Sequence, residues 1–203
     1  MMVLFMIQFG LSSGFGIYIV QYYGAKEYDN LSKTFLLAIT SGITIGLLFL
    51  AISQLFPTSI IRLFNMNETP NQNVITLGSQ YLLIASFSFV TSTTTFAITM
   101  LARSVQKVVV VSIIQVFGVA INTGLNFILI HGKLGLPAMG VEGAALATLI
   151  SSSFTMTASI LYLIFTKEPA LKIQFSQLFK ITRGFTKKLY KTVIPVVLNE
   201  TFW

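Results

Sequence analysis

Asn122 and Asn126 stand four residues apart in an apolar run, residues 108–130, that is long enough to cross a bilayer. A carboxamide in hydrocarbon costs free energy unless something satisfies it, so such groups mark a helix interface or a ligand path. Gln115 falls on the same helical face, seven residues before Asn122. The next apolar run, 141–166, carries a hydroxyl stripe of Thr148, Ser152, Thr155 and Ser159. At 1.5 Å per residue, Asn122 lies about 12 Å below the outer end of its helix, and Thr148 about 10 Å below that of the next. The short gap 131–140 makes these helices antiparallel neighbours, so Asn122 and Thr148 are expected to meet at one depth, with Asn126 a turn further out. Three side-chain oxygens, completed by carbonyls or water, suit a hard cation. The simpler reading is hydrogen bonding across the pair, worth about 0.6 kcal/mol each in a membrane. Serine and threonine also bond their own backbone, so their stripe is weak evidence for a pathway.

Three further polar features bear on chemistry. Gln8 and Ser12 share a face of the first apolar run, where they either line a cavity or pack. Glu200, counted from Lys191, lies about 14 Å into the last helix, where an acid is expensive and by default handles protons or ions. Pro195, five residues earlier, lets that helix bend. Residues 10–14 match the G-x-S-x-G hydrolase pattern, but no histidine lies at matching depth and the motif needs a strand-to-helix elbow, so the match is chance.

The elements that position these groups are set by composition. Of 203 residues, 54% are hydrophobic and 9% charged, where soluble domains carry about 25% charged. There is no cysteine and one histidine, His131, which excludes disulfides, thiolate catalysis and a histidine-built metal site. No catalytic set remains, so the chain is not read as an enzyme, and no cofactor is expected. The net charge of +7 sits in short gaps between apolar runs, a membrane pattern rather than a nucleic-acid surface.

Five full spans follow, at 1–23, 34–56, 74–102, 108–130 and 141–166, with a sixth beginning near Leu189. The first lacks the basic start and small-residue cleavage site of a signal peptide. All of the 13 Lys and Arg residues except Arg62 and Lys133 fall in gaps 24–33, 103–107 and segment 167–191. The positive-inside rule makes that side cytoplasmic. The first span then begins outside and the last one is cut short, so the chain is expected to be a fragment lacking a first helix and a second lobe. Segment 167–188 carries Leu171, Phe175, Leu178 and Phe185 among lysines and arginine, which suggests either an amphipathic helix on anionic lipid or a solvated basic loop. Gly10/Gly14 and Gly42/Gly46 have the spacing of close helix contacts. Asn67, Glu68 and Thr69 form a glycosylation sequon on an outer loop.

Three stretches carry a family likeness: Val20-Gln21-Tyr22-Tyr23-Gly24-Ala25-Lys26, Leu125-Asn126-Phe127-Ile128-Leu129-Ile130, and Gly140-Val141-Glu142-Gly143-Ala144-Ala145-Leu146-Ala147-Thr148. In order and separation they resemble the multidrug and toxic compound extrusion family of cation-coupled antiporters. The resemblance implies an all-α, two-lobed, twelve-helix membrane transporter, of which this chain covers the second to sixth helices and the start of the seventh. Residues 1–166 would then belong to the amino-terminal lobe, 167–188 to a basic amphipathic cytoplasmic linker, and 189–203 to the carboxy-terminal lobe. It further implies a sodium site at Asn122, Asn126 and Thr148, where Asn126 replaces an acid and so removes a charge. Glu200 lies near the seventh-helix coupling acid of other members, and Gln106 replaces a usual glycine in the turn after Ser104.

The function expected is export of amphipathic, cationic compounds from the plasma membrane, driven by Na⁺ or H⁺, with the substrate or coupling path touching Gln8, Gln115, Ser152 and Glu200. The partners expected are the lipid bilayer, a small-molecule substrate, and the missing first helix and second lobe. A lipid-linked oligosaccharide flippase is the alternative, weakened by the lack of mid-span basic residues. A structural bundle without transport is the other.

Overall fold

The computed structural model describes residues 2–64 and 72–202, so the sequon at Asn67, Glu68 and Thr69 lies outside the described residues. Eight α-helices are described: α1 Met2–Gly24, α2 Tyr28–Leu55, α3 Pro57–Phe64, α4 Gln72–Ala85, α5 Ser88–Ser104, α6 Val108–His131, α7 Gly140–Phe165 and α8 Arg183–Phe202. There is no strand among the described residues. In lipid every backbone polar group must be satisfied within the chain, which is why apolar runs of this length become helices. α1, α2, α6 and α7 are each long and apolar enough to span, and α4 with α5, bent by 51° at their break, makes a fifth if the pair is counted as one span. The protein is a multi-pass membrane bundle.

The span expected over 74–102 falls on this pair, and residues 85–88 at its bend include neither proline nor glycine. Serines around the break bond backward instead, Ser86 Oγ to the Leu83 carbonyl at 3.1 Å and Ser88 Oγ to the Ala85 carbonyl at 2.6 Å. Gln54 of α2 reaches across, its Nε2 donating to the Leu83 carbonyl at 2.8 Å and to Ser86 Oγ at 2.9 Å. The acceptors exposed by the kink are thus met without water. Short α3, with Pro57 at its first position where a missing N–H costs nothing, was not evident in gap 57–73.

Segment 167–188 is not a single amphipathic helix. It forms two 3-10 turns, Pro169–Leu171 and Phe175–Lys180, and α8 begins at Arg183 rather than near Leu189. The apolar residues divide: Leu171 is fully buried and Phe185 stacks on Tyr22 with ring centroids 6.3 Å apart, whereas Phe175 and Phe179 face outward. An uninterrupted helix could not turn these two sets in opposite directions.

Helix contacts fall where glycines permit them. A β-carbon on Gly10 would stand 2.6 Å from the Val197 α-carbon, and one on Gly14 would stand 3.0 Å from that of Val193, so α1 and α8 run antiparallel backbone to backbone. Gly46 meets α5, where its added β-carbon would lie 2.9 Å from Thr93 Oγ1. Tyr190 of α8 hydrogen-bonds Ser41 of α2 and packs edge-on against Phe15, while Tyr18 Oη lies 2.7 Å from Thr192 Oγ1.

The turns after α1 and α5 share one geometry. Glu27 and Lys26 donate backbone N–H groups to the carbonyls of Tyr22 and Tyr23, and Lys107 and Gln106 do the same to Ala102 and Arg103. Each is a Schellman cap with a left-handed residue, Lys26 at φ 60° and Gln106 at φ 61°. The buried core, including Phe15, Ile19, Leu31, Phe35, Leu101, Leu171 and Leu189, gathers at this basic end of the bundle. α6 stands apart, held chiefly by α7, with Val109, Val116, Val119 and Phe127 exposed.

Candidate functional site

The site lies where α1, α5, α6 and α7 diverge above that core. α6 and α7 touch through small residues. A β-carbon on Gly118 would be 2.2 Å from Thr155 Cγ2, and one on Gly143 would be 2.8 Å from the Leu129 carbonyl group. These contacts set the register of the pair, and the register places Ser151 opposite Asn122.

Asn122 Nδ2 donates to Ser151 Oγ at 3.1 Å, and Asn126 Nδ2 donates to Asn122 Oδ1 at 3.0 Å. Asn126 Oδ1 is buried and has no hydrogen-bond partner among the described residues. Thr148 does not bond Asn122. Its hydroxyl donates to the Ala144 carbonyl of its own helix at 3.0 Å, although both side chains line one cleft of 300 Å³. Asn122 and Thr148 thus share a cleft, but the hydroxyl that Asn122 reaches is that of Ser151. Ser151 was not singled out by the sequence.

Gln8, Gln115 and Ser152 come together on a larger cleft of 530 Å³. Gln8 is buried on α1, Gln115 Nε2 reaches Thr99 Oγ1 at 3.4 Å, and Ser152 Oγ accepts from Thr91 Oγ1 at 2.9 Å. α5 supplies Ser92, Thr95 and Thr99 to this wall, a contribution sequence reasoning overlooked although the hydroxyl run from Thr91 to Thr95 is plain in the sequence. Most of these hydroxyls spend their proton on their own helix, Thr95 on the Thr91 carbonyl for example, which leaves their lone pairs toward the cleft.

Electrostatically the cleft is nearly neutral. Among the described residues Arg103, in the last turn of α5, is the one charged side chain on its wall, and no carboxylate lines it. No group of three or more His, Cys, Asp or Glu able to hold a metal occurs among the described residues. What the cleft offers a cation is neutral oxygen, the hydroxyls of Thr148 and Ser151 on its wall; the unpartnered Asn126 oxygen lies a turn from Asn122 and is not on that wall. Glu200 does not join them. It follows Val193 and Val197 along the α8 face turned to α1, is partly buried, and lines neither of these two clefts.

On the basic side, Lys107 forms an ion pair with Glu168 at 2.5 Å, tying the α5–α6 turn to the segment before α8. The hydrogen bond and charge of Glu168 hold the Lys107 ammonium above its ordinary value.

The MatE family model matches residues 1–128. The probable multidrug resistance protein YoeA of Bacillus subtilis (strain 168) is 28% identical over 194 residues, covering 94% of this chain and 40% of that protein. The probable multidrug resistance protein NorM of Neisseria meningitidis serogroup A is 26% identical over 197 residues, again covering 94% and 40%. The chain thus spans about two-fifths of the length of the curated relatives it matches. A solved inward-facing multidrug resistance MATE family transporter of the MOP superfamily superposes with a TM-score of 0.83 at 18% identity, covering 98% of this chain and 43% of that one. A MOP superfamily transporter from Pyrococcus furiosus, described as having a binding pocket of reverse polarity, gives 0.80 at 18% identity, with 98% and 42% covered. At such identities these two structures establish the fold alone.

Proposed function

Because the chain belongs to the MatE family, we propose that it forms most of the amino-terminal lobe of a cation-coupled antiporter that exports amphipathic organic compounds by alternating access. The observation that carries this reading is the polar, nearly uncharged cleft that brings Gln8, Gln115 and Ser152 together inside an otherwise apolar bundle. Such a cleft binds an amphiphile by apolar contact and a few oriented hydrogen bonds. The basic side is the cytoplasmic one on this reading, the membrane is the plasma membrane, and a further helix and a second lobe complete the transporter.

The coupling ion is Na⁺ held by Asn126, Asn122 and Thr148, or H⁺ carried by Glu200. The buried, unpartnered Asn126 oxygen favours the sodium version, since a cation satisfies it at once. The absence of a carboxylate from the set lowers the affinity it can reach. Coupling follows if the ion stabilises one facing of the cleft more than the other.

Sequence reasoning expected cationic cargo, and the wall of this lobe gives that expectation no counter-charge. Arg103 bears on the flippase alternative, which needs basic groups for a pyrophosphate-linked lipid. It stands in the last turn of α5 and leaves the middle of the cleft uncharged, so export of amphiphiles remains the better reading.

The test is dye export by the complete protein in proteoliposomes under imposed sodium and proton gradients, one at a time. Sodium-driven export lost in Asn122→Ala supports the amide site, and proton-driven export lost in Glu200→Gln supports the acid. Export indifferent to both gradients removes the antiport reading.

A further inference from the structure

The segment joining α7 to α8 has an outward face that transport does not use. In a 3-10 helix residues three apart eclipse one another, so Phe175–Lys180 presents three edges. One edge carries Gln177 and Lys180, of which Gln177 is only 4% exposed and faces α2 while Lys180, at the end of the turn, is exposed. The second carries Phe175 and Leu178, and the third carries Phe179. Phe175 is 73% exposed and Phe179 is 92% exposed. Leu171, fully buried just upstream, pins the segment to the bundle from the same side as Gln177. The two phenylalanines are therefore held away from the core by residues that are themselves anchored.

Charge surrounds them with one sign. No Asp or Glu occurs between Pro169 and Lys191. Lys172, Lys180, Arg183 and Lys187 are exposed, and none has an acidic partner among the described residues. Aromatic side chains beside unpaired cations are the composition of a surface that lies at the boundary between headgroups and acyl chains. Height agrees as well. α7 stops at Phe165 and α8 starts at Arg183, and between them buried Leu171 and Gln177 hold the joint against the end of the bundle.

We propose that residues 172–187 are a docking surface for anionic lipid headgroups. Phe175, Leu178 and Phe179 enter the boundary region, and Lys172, Lys180, Arg183 and Lys187 take the lipid phosphates. The bound leaflet then fixes the joint from outside, as Leu171 and Gln177 fix it from within. The inference is independent of which compound or ion is transported.

The experiment uses the complete protein with an environment-sensitive fluorophore on Phe179→Cys, a position exposed enough that the substitution disturbs no packing. It is reconstituted in phosphatidylcholine vesicles with and without one-third phosphatidylglycerol. Quenching by headgroup-linked nitroxide lipids should at least double with phosphatidylglycerol. Each cation at an anionic surface strengthens attraction roughly five-fold, so Lys172→Gln, Lys180→Gln and Arg183→Gln together should abolish the difference. Equal access of aqueous iodide in both vesicles would overturn the proposal. So would protection that is the same in both and survives the triple substitution, because another part of the protein would then be the cover.

Discussion

Gly118 faces Thr155 so closely that a β-carbon added to the glycine would stand 2.2 Å from the threonine methyl. The threonine cannot turn away freely. Its hydroxyl is held by the carbonyls of Ser151 at 3.1 Å and Ser152 at 2.9 Å, which aims the methyl at α6. Gly118→Ala should therefore overpack the α6–α7 contact and cost about 1–3 kcal/mol. Thermal unfolding in detergent measures the loss. Gly118→Ala with Thr155→Ser, which deletes the methyl, should recover most of it.

Asn126 offers the other informative substitution on α6. Asn126→Asp keeps the shape and places negative charge at the buried oxygen that now lacks a partner. If sodium binds there, its apparent affinity in transport or calorimetry should tighten about ten-fold, corresponding to 1.4 kcal/mol of added attraction. An unchanged sodium dependence would move the ion elsewhere.

Gln106 occupies a left-handed position that an L side chain adopts at a cost of about 1–2 kcal/mol. Gln106→Gly should raise the melting temperature, by a stabilisation of about 1 kcal/mol after the entropy of the unfolded glycine is counted. Gly132→Ala should do the reverse. Gly132 has φ 65°, and an added β-carbon would lie 2.5 Å from the Ala138 nitrogen.

Gln54→Leu should destabilise the bent span by about 1–3 kcal/mol, since the Leu83 carbonyl and Ser86 hydroxyl both lose a donor. Hydrogen exchange at the α4–α5 break should accelerate locally while α6 and α7 stay unchanged.

The Lys107–Glu168 pair predicts a pH dependence with a definite sign. The lysine's folded value is raised above the ordinary 10.5, so its stabilising contribution is fully present below that value and is lost as pH rises past the folded one. Both side chains are substantially exposed, so the effect is small and screened by salt. Lys107→Gln should match the parent protein in stability at strongly alkaline pH, and fall below it only at lower pH and low ionic strength.

The spans were legible because an apolar run of bilayer length has one stable form in lipid, and of the two glycine pairs Gly10, Gly14 and Gly46 do mark close helix contacts, whereas Gly42 has only ordinary contact with Thr93 at 3.7 Å. The α4–α5 bend was not legible, because the side chain that satisfies its freed acceptors, Gln54, comes from α2, which sequence cannot place beside Ser86. Gln8, Gln115 and Ser152 were picked as polar groups in hydrocarbon, and they share a cleft. The partner of Asn122 was missed for a quantitative reason. Ser151 and Thr148 differ by less than one turn, and counting from uncertain helix ends cannot separate them. In the joint, hydrophobic spacing alone could not reveal that Leu171 and Phe179 turn opposite ways.

The crowded aromatic and aliphatic plug near Tyr22, Leu101 and Leu189 makes the bundle behave like a fan gripped at its rivet. α6 packs closely on α7 but little on anything else, so it shifts only with α7, while disturbance at the rivet disrupts packing among many helices. Damage there should surface as poor yield of folded material, whereas substitutions on the exposed face of α6 should leave that yield unchanged.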